Sequence, residues 1–429
     1  MLRCRSRRRA DGVVTAYDGR AAAGASTQAE ALTPSGLRRV LITLCVTETT
    51  SWGVLYYAFP VMSAEIARST GWSMPAVTAA FSVGQLVAAF IGIPVGRRLD
   101  RHGPRAVMTA GSILATVAVA GIATAQSLSW FVVAWLAAGV AMGAVLYPPA
   151  FAALTRWHGR DRVRALMILT LAAGCASTVF APLTAVLAEE FGWRRAYLML
   201  GLILAVVTVP GHWAGLRGRW PDVADPRPDG QVRSSVPRSP AFLALTTSLA
   251  LATFGSFAVV VHLVPLLVER GVDTTLAALA LGLGGVGQVA GRLGYSVLSR
   301  HVGVRMRTAL ILLACGVTTA LFGVFTTAAA LIAASVAAGV TRGVLTLVQA
   351  SAVSDRWGHA QYGRLTGLLS APLTIAAALA PWAGAAMAEL LGGYAPMFLL
   401  LAVMSIIASA LSLASTPRIS TPLLAEENR

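Results

Sequence analysis

The sequence predicts an all-α membrane protein with twelve transmembrane helices in two parallel six-helix repeats, and three observations carry that expectation. Charged residues make up only 12% of the 429-residue chain, against about 25% in a soluble domain. Hydrophobic residues reach 56% and mean hydropathy is +0.70, more apolar surface than a water-soluble fold can hide. The apolar runs are long and continuous rather than alternating, which excludes a membrane β-barrel.

Run lengths justify each element. From Ala106 to Thr155 there is no Asp, Glu, Lys or Arg. As one helix this run would reach ~75 Å, more than twice the ~30 Å hydrocarbon core. It must fold back, and the only polar cluster near its middle is Gln126-Ser127-Leu128-Ser129. The charge-free run 308–341 is also too long for one span and turns near Thr326-Thr327. Further charge-free runs cover 77–96, 165–188, 196–216, 243–268, 274–291 and 390–417, and Glu48 alone interrupts 40–64. Twelve spans follow, near 39–64, 76–96, 106–125, 130–154, 165–188, 195–216, 242–268, 275–298, 308–326, 329–353, 364–388 and 394–415.

Every one of the 34 basic residues is Arg. With twelve spans, 28 of them fall in the termini and in the loops on the termini's side. Four (Arg68, Arg194, Arg195, Arg270) lie on the opposite loops, and two lie inside spans. The positive-inside bias therefore places both termini in the cytoplasm of a multi-pass plasma (cell inner) membrane protein. The net charge of +16 is a topology signal, so no nucleic-acid partner is expected; the partners are the lipid bilayer and a small molecule. The expected organisation is a disordered basic arm (1–37) that is not a signal peptide, a six-helix bundle (38–216), a cytoplasmic linker (217–240), a second bundle (241–416) and a cytoplasmic tail (417–429). A monomer is expected. The four Cys lie apart, without disulfide or metal spacing, so no metal and no cofactor is anticipated. His262 reads as interfacial, and Trp72, Trp193, Trp213 and Trp220 as headgroup-level anchors.

A shift of 200 residues aligns the chain with itself. Ala137-Ala138-Gly139-Val140 matches Ala337-Ala338-Gly339-Val340, Arg156-Trp157 matches Arg356-Trp357, and Glu189 and Gly192 match Glu389 and Gly392. Two six-span halves of the same orientation define a parallel-repeat transporter, with the site near the midplane between them. After span two the chain reads Gly96-Arg97-Arg98-Leu99-Asp100-Arg101-His102-Gly103-Pro104-Arg105. This resembles the G-x-x-x-D-R-x-G-x-R signature of the major facilitator superfamily, in the place where that family carries it. The resemblance implies the major facilitator fold, alternating access, and a conformational latch formed by Gly96, Asp100, Arg101, Gly103 and Arg105. The second half holds a degraded copy around Tyr295, Ser299 and Arg300, without the acid. Trp52-Gly53, Gly71-Trp72-Ser73, Gly92-Ile93-Pro94-Val95-Gly96 and Gly192-Trp193-Arg194 resemble the oxalate/formate and monocarboxylate porter branch.

Charges inside spans are costly and mark function. Three lie near mid-depth: Glu48, Arg292 and Arg342. Neither Arg has a counterpart under the 200-residue shift, where Gly92 and Met142 stand. Two Arg against one Glu leave a positive charge whose natural partner is a substrate carboxylate, because a guanidinium offers a donor fork. The competing reading is an internal Glu48–Arg ion pair. Gln288 and Tyr295 flank Arg292, and Thr346 and Gln349 flank Arg342, at helical spacing. Tyr56 shares a stripe with Glu48, and Tyr147-Pro148-Pro149 is placed to open a helix into the cavity. Glu48 is the expected proton-coupling residue. The porter branch implies an acid where Gln288 stands and a span-eleven Lys that this Lys-free chain lacks, so proton symport and anion exchange both stay open. Gly282-Leu283-Gly284-Gly285-Val286-Gly287 matches a dinucleotide fingerprint but lies inside a span, as a close-packing face. The expected function is secondary transport of a small organic anion, a mono- or dicarboxylate, without enzymatic activity. The alternatives are efflux of a drug-like or amphipathic compound and, from another class, a membrane sensor without turnover.

Overall fold

The computed structural model describes residues 32–218, 220, 236–357 and 362–416. Residues 1–31 of the expected arm, the tail and most of the expected linker lie outside the described residues, and the arm's last residues, expected to be disordered, already belong to a helix that begins at Pro34. Fifteen helices follow in order: α1 Pro34–Trp52, α2 Ala58–Thr70, α3 Met74–His102, α4 Pro104–Ala123, α5 Leu128–Val145, α6 Tyr147–His158, α7 Arg162–Gly174, α8 Ala176–Pro210, α9 Pro240–Glu269, α10 Thr274–His301, α11 Val304–Val324, α12 Ala328–Ser351, α13 Ser354–Trp357, α14 Tyr362–Leu391 and α15 Tyr394–Ser412. No strand occurs among the described residues.

Ten helical stretches are long and apolar enough to cross a bilayer. One of them, 164–215, turns back at Gly192, whose φ of 73° breaks the helix, and so holds two crossings. The first crossing, 34–70, runs through α1, a π-turn at Gly53–Tyr57 and α2. Twelve crossings result, at the positions the run lengths predict. Side-chain caps start several of them: Ser127 accepts from the Trp130 N–H at 3.2 Å, at the turn expected around 126–129. Asp273 accepts from Thr275 and Leu276 N–H, and Ser239 from Phe242 N–H.

The first six crossings meet the last six along α3–α14, α8–α10 and α2–α9. Toward the face away from the chain ends one apolar core runs through both sets, from Tyr56, Phe59 and Phe81 to Val261, Leu281 and Phe398. On the termini face the cores are separate, one around Val40, Leu44 and Met108 and the other around Leu245, Leu312 and Leu369. Cross-set hydrogen bonds step inward from the far face. Thr275 donates to Glu189 at 2.8 Å, the Trp382 N–H to Ser82 at 3.0 Å, and Thr178 to the Gly282 carbonyl at 2.9 Å. The last of them, Arg292 Nη1 to the Thr170 carbonyl, lies near mid-depth. Beyond it, no atom lies within 4 Å of where a Cβ would stand at Gly92, Gly96, Gly294 or Gly367. The sets are thus joined on the far face and part toward the chain ends.

Two expectations need correction. His262 is fully buried, and its Nε2 bonds the Pro381 carbonyl at 2.9 Å beside Gly384, where the missing side chain makes room for the ring. Trp193 is buried and donates to Ser69, and Trp220 packs on Gly103 and Trp157; both pack against protein and do not serve as headgroup anchors. Asp355 of α13 pairs with Arg307 and accepts from Ser351 at 2.8 Å.

Candidate functional site

A cavity of about 210 Å³ lies where the two sets part, lined from the first crossing by Trp52, Tyr56 and Tyr57 and from α6 by Tyr147. The last six crossings supply the polar wall: Gln288 and Arg292 from α10, and Arg342, Thr346 and Gln349 from α12. Local sequence explains the aromatic wall. A Cβ at Gly53 would overlap the Phe180 ring, so glycine there lets the fifth crossing come close. A π-turn follows at Gly53–Tyr57, and both Tyr56 and Tyr57 line the cavity. Leu146, with ψ of −169°, interrupts the fourth crossing, and Tyr147 restarts it with Pro148 in the first turn, where a missing N–H costs nothing. The Trp52 ring lies 5.0 Å from Tyr147 and 5.5 Å from Tyr56.

The polar wall is partly prepaired. Arg342 Nη2 donates to Gln288 Oε1 at 3.0 Å, and Gln349 Nε2 donates to Thr253 Oγ1 at 2.8 Å. Arg292 bonds the Thr170 carbonyl across the two sets, and Tyr147 lines the same cavity. Gly174 makes room for the guanidinium, since a Cβ there would stand 3.0 Å from Arg292 Nη1. The Nε atoms of both arginines are buried without a partner.

Seven of the eight expected lining residues therefore share one cavity: Tyr56, Tyr147, Gln288, Arg292, Arg342, Thr346 and Gln349. Tyr295 does not. Its hydroxyl bonds Ser351 at 3.0 Å and its ring packs toward Arg307, one turn nearer the termini face. Glu48 also stands off the cavity: it is fully buried, both carboxyl oxygens lack a partner, and it pairs with neither arginine. Sequence reasoning missed Tyr57, Ser256 and Phe257. The cavity is wide enough to take neighbouring residues of one helix, Tyr56 with Tyr57 and Ser256 with Phe257, which spacing along a single helix face does not pick out. In the first turn of α4, Arg105 donates to the Trp213 carbonyl at 2.8 Å and stacks on its ring at 3.9 Å. Gly103 closes α3 with φ of 76°; Arg101 is exposed, Gly96 borders open space, and the Asp100 side chain lies outside the described residues.

Twelve crossings joined around a mid-depth cavity define a membrane transporter, and comparison with known proteins places it. Residues 44–329 match the Major Facilitator Superfamily, and the chain belongs to that family. It is similar to monocarboxylate transporter 13 of Rattus norvegicus, 29% identical over 340 residues, 76% of this chain and 77% of that one. It is also similar to the oxalate:formate antiporter of Oxalobacter formigenes, 24% identical over 392 residues, 89% and 91% of the two chains. Two efflux proteins match over shorter stretches, 53% and 30% of this chain. Among solved structures, a bacterial homologue of the human lysosomal transporter Spinster, in an inward-facing conformation, aligns with a TM-score of 0.71. It is 15% identical and covers 90% of this chain and 98% of that one, which speaks to the fold. The protein is a small-molecule transporter and not an enzyme.

Proposed function

We propose that this transporter moves a small organic anion, a mono- or dicarboxylate, across the plasma membrane by alternating access, as a monomer with both termini cytoplasmic. Arg292 and Arg342 bind the carboxylate. Gln288, Thr346 and Gln349 orient it, and Trp52, Tyr56, Tyr57 and Tyr147 take its carbon body. Residues 38–216 and 241–416 are the two moving bundles, and the loop from Gly96 to Arg105 latches them on the cytoplasmic side when the outer side opens. In this arrangement the described structure faces the cytoplasm.

The single observation that supports the reading is the cavity itself: two guanidiniums line it, and among the described residues no carboxylate side chain does. Buried cations favour an anionic partner, and a planar fork favours a carboxylate. The covered length of the monocarboxylate and oxalate:formate relatives adds weight. Glu48 carries the coupled proton if transport is symport; exchange of one anion for another needs no such group. Efflux of an amphipathic compound is the second reading, favoured by the aromatic wall and the shorter efflux matches.

The test is counterflow of a labelled carboxylate panel in proteoliposomes at several pH values. At least one carboxylate is expected to exchange saturably. Movement of neutral or cationic amphipaths with no carboxylate moved contradicts the proposal.

A further inference from the structure

Inside the last six crossings, a second cavity of about 30 Å³ backs onto the first, and the two share Arg342, Ser256 and Val260. A single water needs about 10–15 Å³ of such space, so the annex takes one monatomic ion with a water, or two waters. Formate, the smallest carboxylate, already has three heavy atoms. The annex is thus not a second seat for the substrate.

The hydroxyls on its wall divide into two groups. Thr318, Ser335 and Thr341 already give their protons to the Ala314, Ala280 and Ala338 carbonyls, at 2.9, 2.7 and 3.0 Å. Ser256 and Thr319 bond no other described residue, so their protons are free to turn into the cavity. Arg342 Nε is buried without a partner. The annex therefore offers two unspent hydroxyl donors beside the Arg342 side chain, and neither Asp nor Glu is among its lining residues. The rest of the wall includes Val259, Leu263, Leu281 and Phe322, surroundings that suit a large, weakly hydrated ion.

Charge points the same way. Arg292 and Arg342 bring two positive charges to mid-depth, and Glu48 is bonded to neither. A buried cation without a counter-charge is costly in low dielectric.

We propose that the annex is a halide site, in which chloride is held by the hydroxyls of Ser256 and Thr319 beside the positive charge of Arg342. The oxygens of Thr318, Ser335 and Thr341 take the water beside it. Chloride neutralises Arg342 from behind, on the side away from the substrate cavity.

The test uses the purified full chain in detergent with no carboxylate present, so its outcome does not depend on whether the larger cavity binds one. Chloride replaces methanesulfonate at constant ionic strength while thermal unfolding is followed. Tm is expected to climb and saturate with chloride, because a ligand that binds only the folded state stabilises it by mass action. Thr319→Val and Ser256→Ala should each move the midpoint of that rise at least tenfold higher in chloride. A readout free of variants is anomalous scattering from wild-type crystals grown in bromide, with a peak expected in the annex beside Arg342. A flat Tm, a rise unchanged in both variants, or bromide-grown crystals with only water in the annex would each overturn the proposal.

Discussion

Burying a carboxyl without a partner costs more than packing hydrocarbon in its place, which makes Glu48 the most conspicuous single side chain outside the cavity. The sequence exposes it as the lone acid in an apolar run, and the same logic picks out Arg292 and Arg342. What that logic cannot supply is the third dimension. Tyr295 stands three residues after Arg292, on a neighbouring face by spacing, yet Ser351 and Arg307 hold it one turn lower. Tyr57 fails in the opposite sense, because the cavity is wide enough to take neighbouring residues that lie off a single helix stripe. If Glu48 carries the coupled proton, Glu48→Gln keeps its shape and removes the titrating group. Uptake by this variant should then lose most of its pH dependence between about pH 5 and 8, with exchange at fixed pH retained. A variant whose pH profile overlays that of wild type would remove Glu48 from coupling.

Helices meet here through glycine more than through large side chains, and the sequence shows this only in part. The motif Gly282–Gly287 is legible as a packing face, and the structure gives it a partner: α10 and α12 approach until a Cβ on Gly339 would overlap the Gly284 carbonyl. The mirrored contact in the first half sets Gly139 against Gly84 in the same way, as the 200-residue repeat implies. Which glycines are tight was not readable, because Gly92 and Gly96 look equivalent in sequence and border open space. Gly339→Ala should therefore destabilise by roughly 1–3 kcal/mol, the usual cost of overpacking a close contact. Gly92→Ala should be neutral or gain up to about 1 kcal/mol from helix propensity. Thermal unfolding of the two variants in detergent separates them, and equal Tm values would mean that the α10–α12 approach is looser than described.

At the scale of the whole molecule, twelve crossings and the repeat follow from run lengths and self-alignment, because lipid forces continuous apolar helices of nearly fixed length. The state of the molecule does not follow from sequence, since both states of an alternating transporter bury the same residues in different pairings. Here the far-face bonds, Glu189–Thr275 outermost, hold the halves together while the termini face opens. Joining Glu189→Cys to Thr275→Cys with a short crosslinker, in a background without the native cysteines, should stop transport, and reduction should restore it. Full transport by the crosslinked protein would show that this contact need not open. The central claim is that Arg292 and Arg342 form one carboxylate site, and the most direct measurement is carboxylate counterflow in proteoliposomes by wild type, Arg292→Lys and Arg342→Lys. Lysine keeps the charge but loses the planar fork, so each variant should fall at least tenfold in transport efficiency, about 1.4 kcal/mol or more, at wild-type protein levels. Lysine variants that exchange carboxylates as well as wild type would contradict it. So would activity lost in Arg342→Gln and regained by adding Glu48→Gln, the mark of an ion pair that serves stability alone.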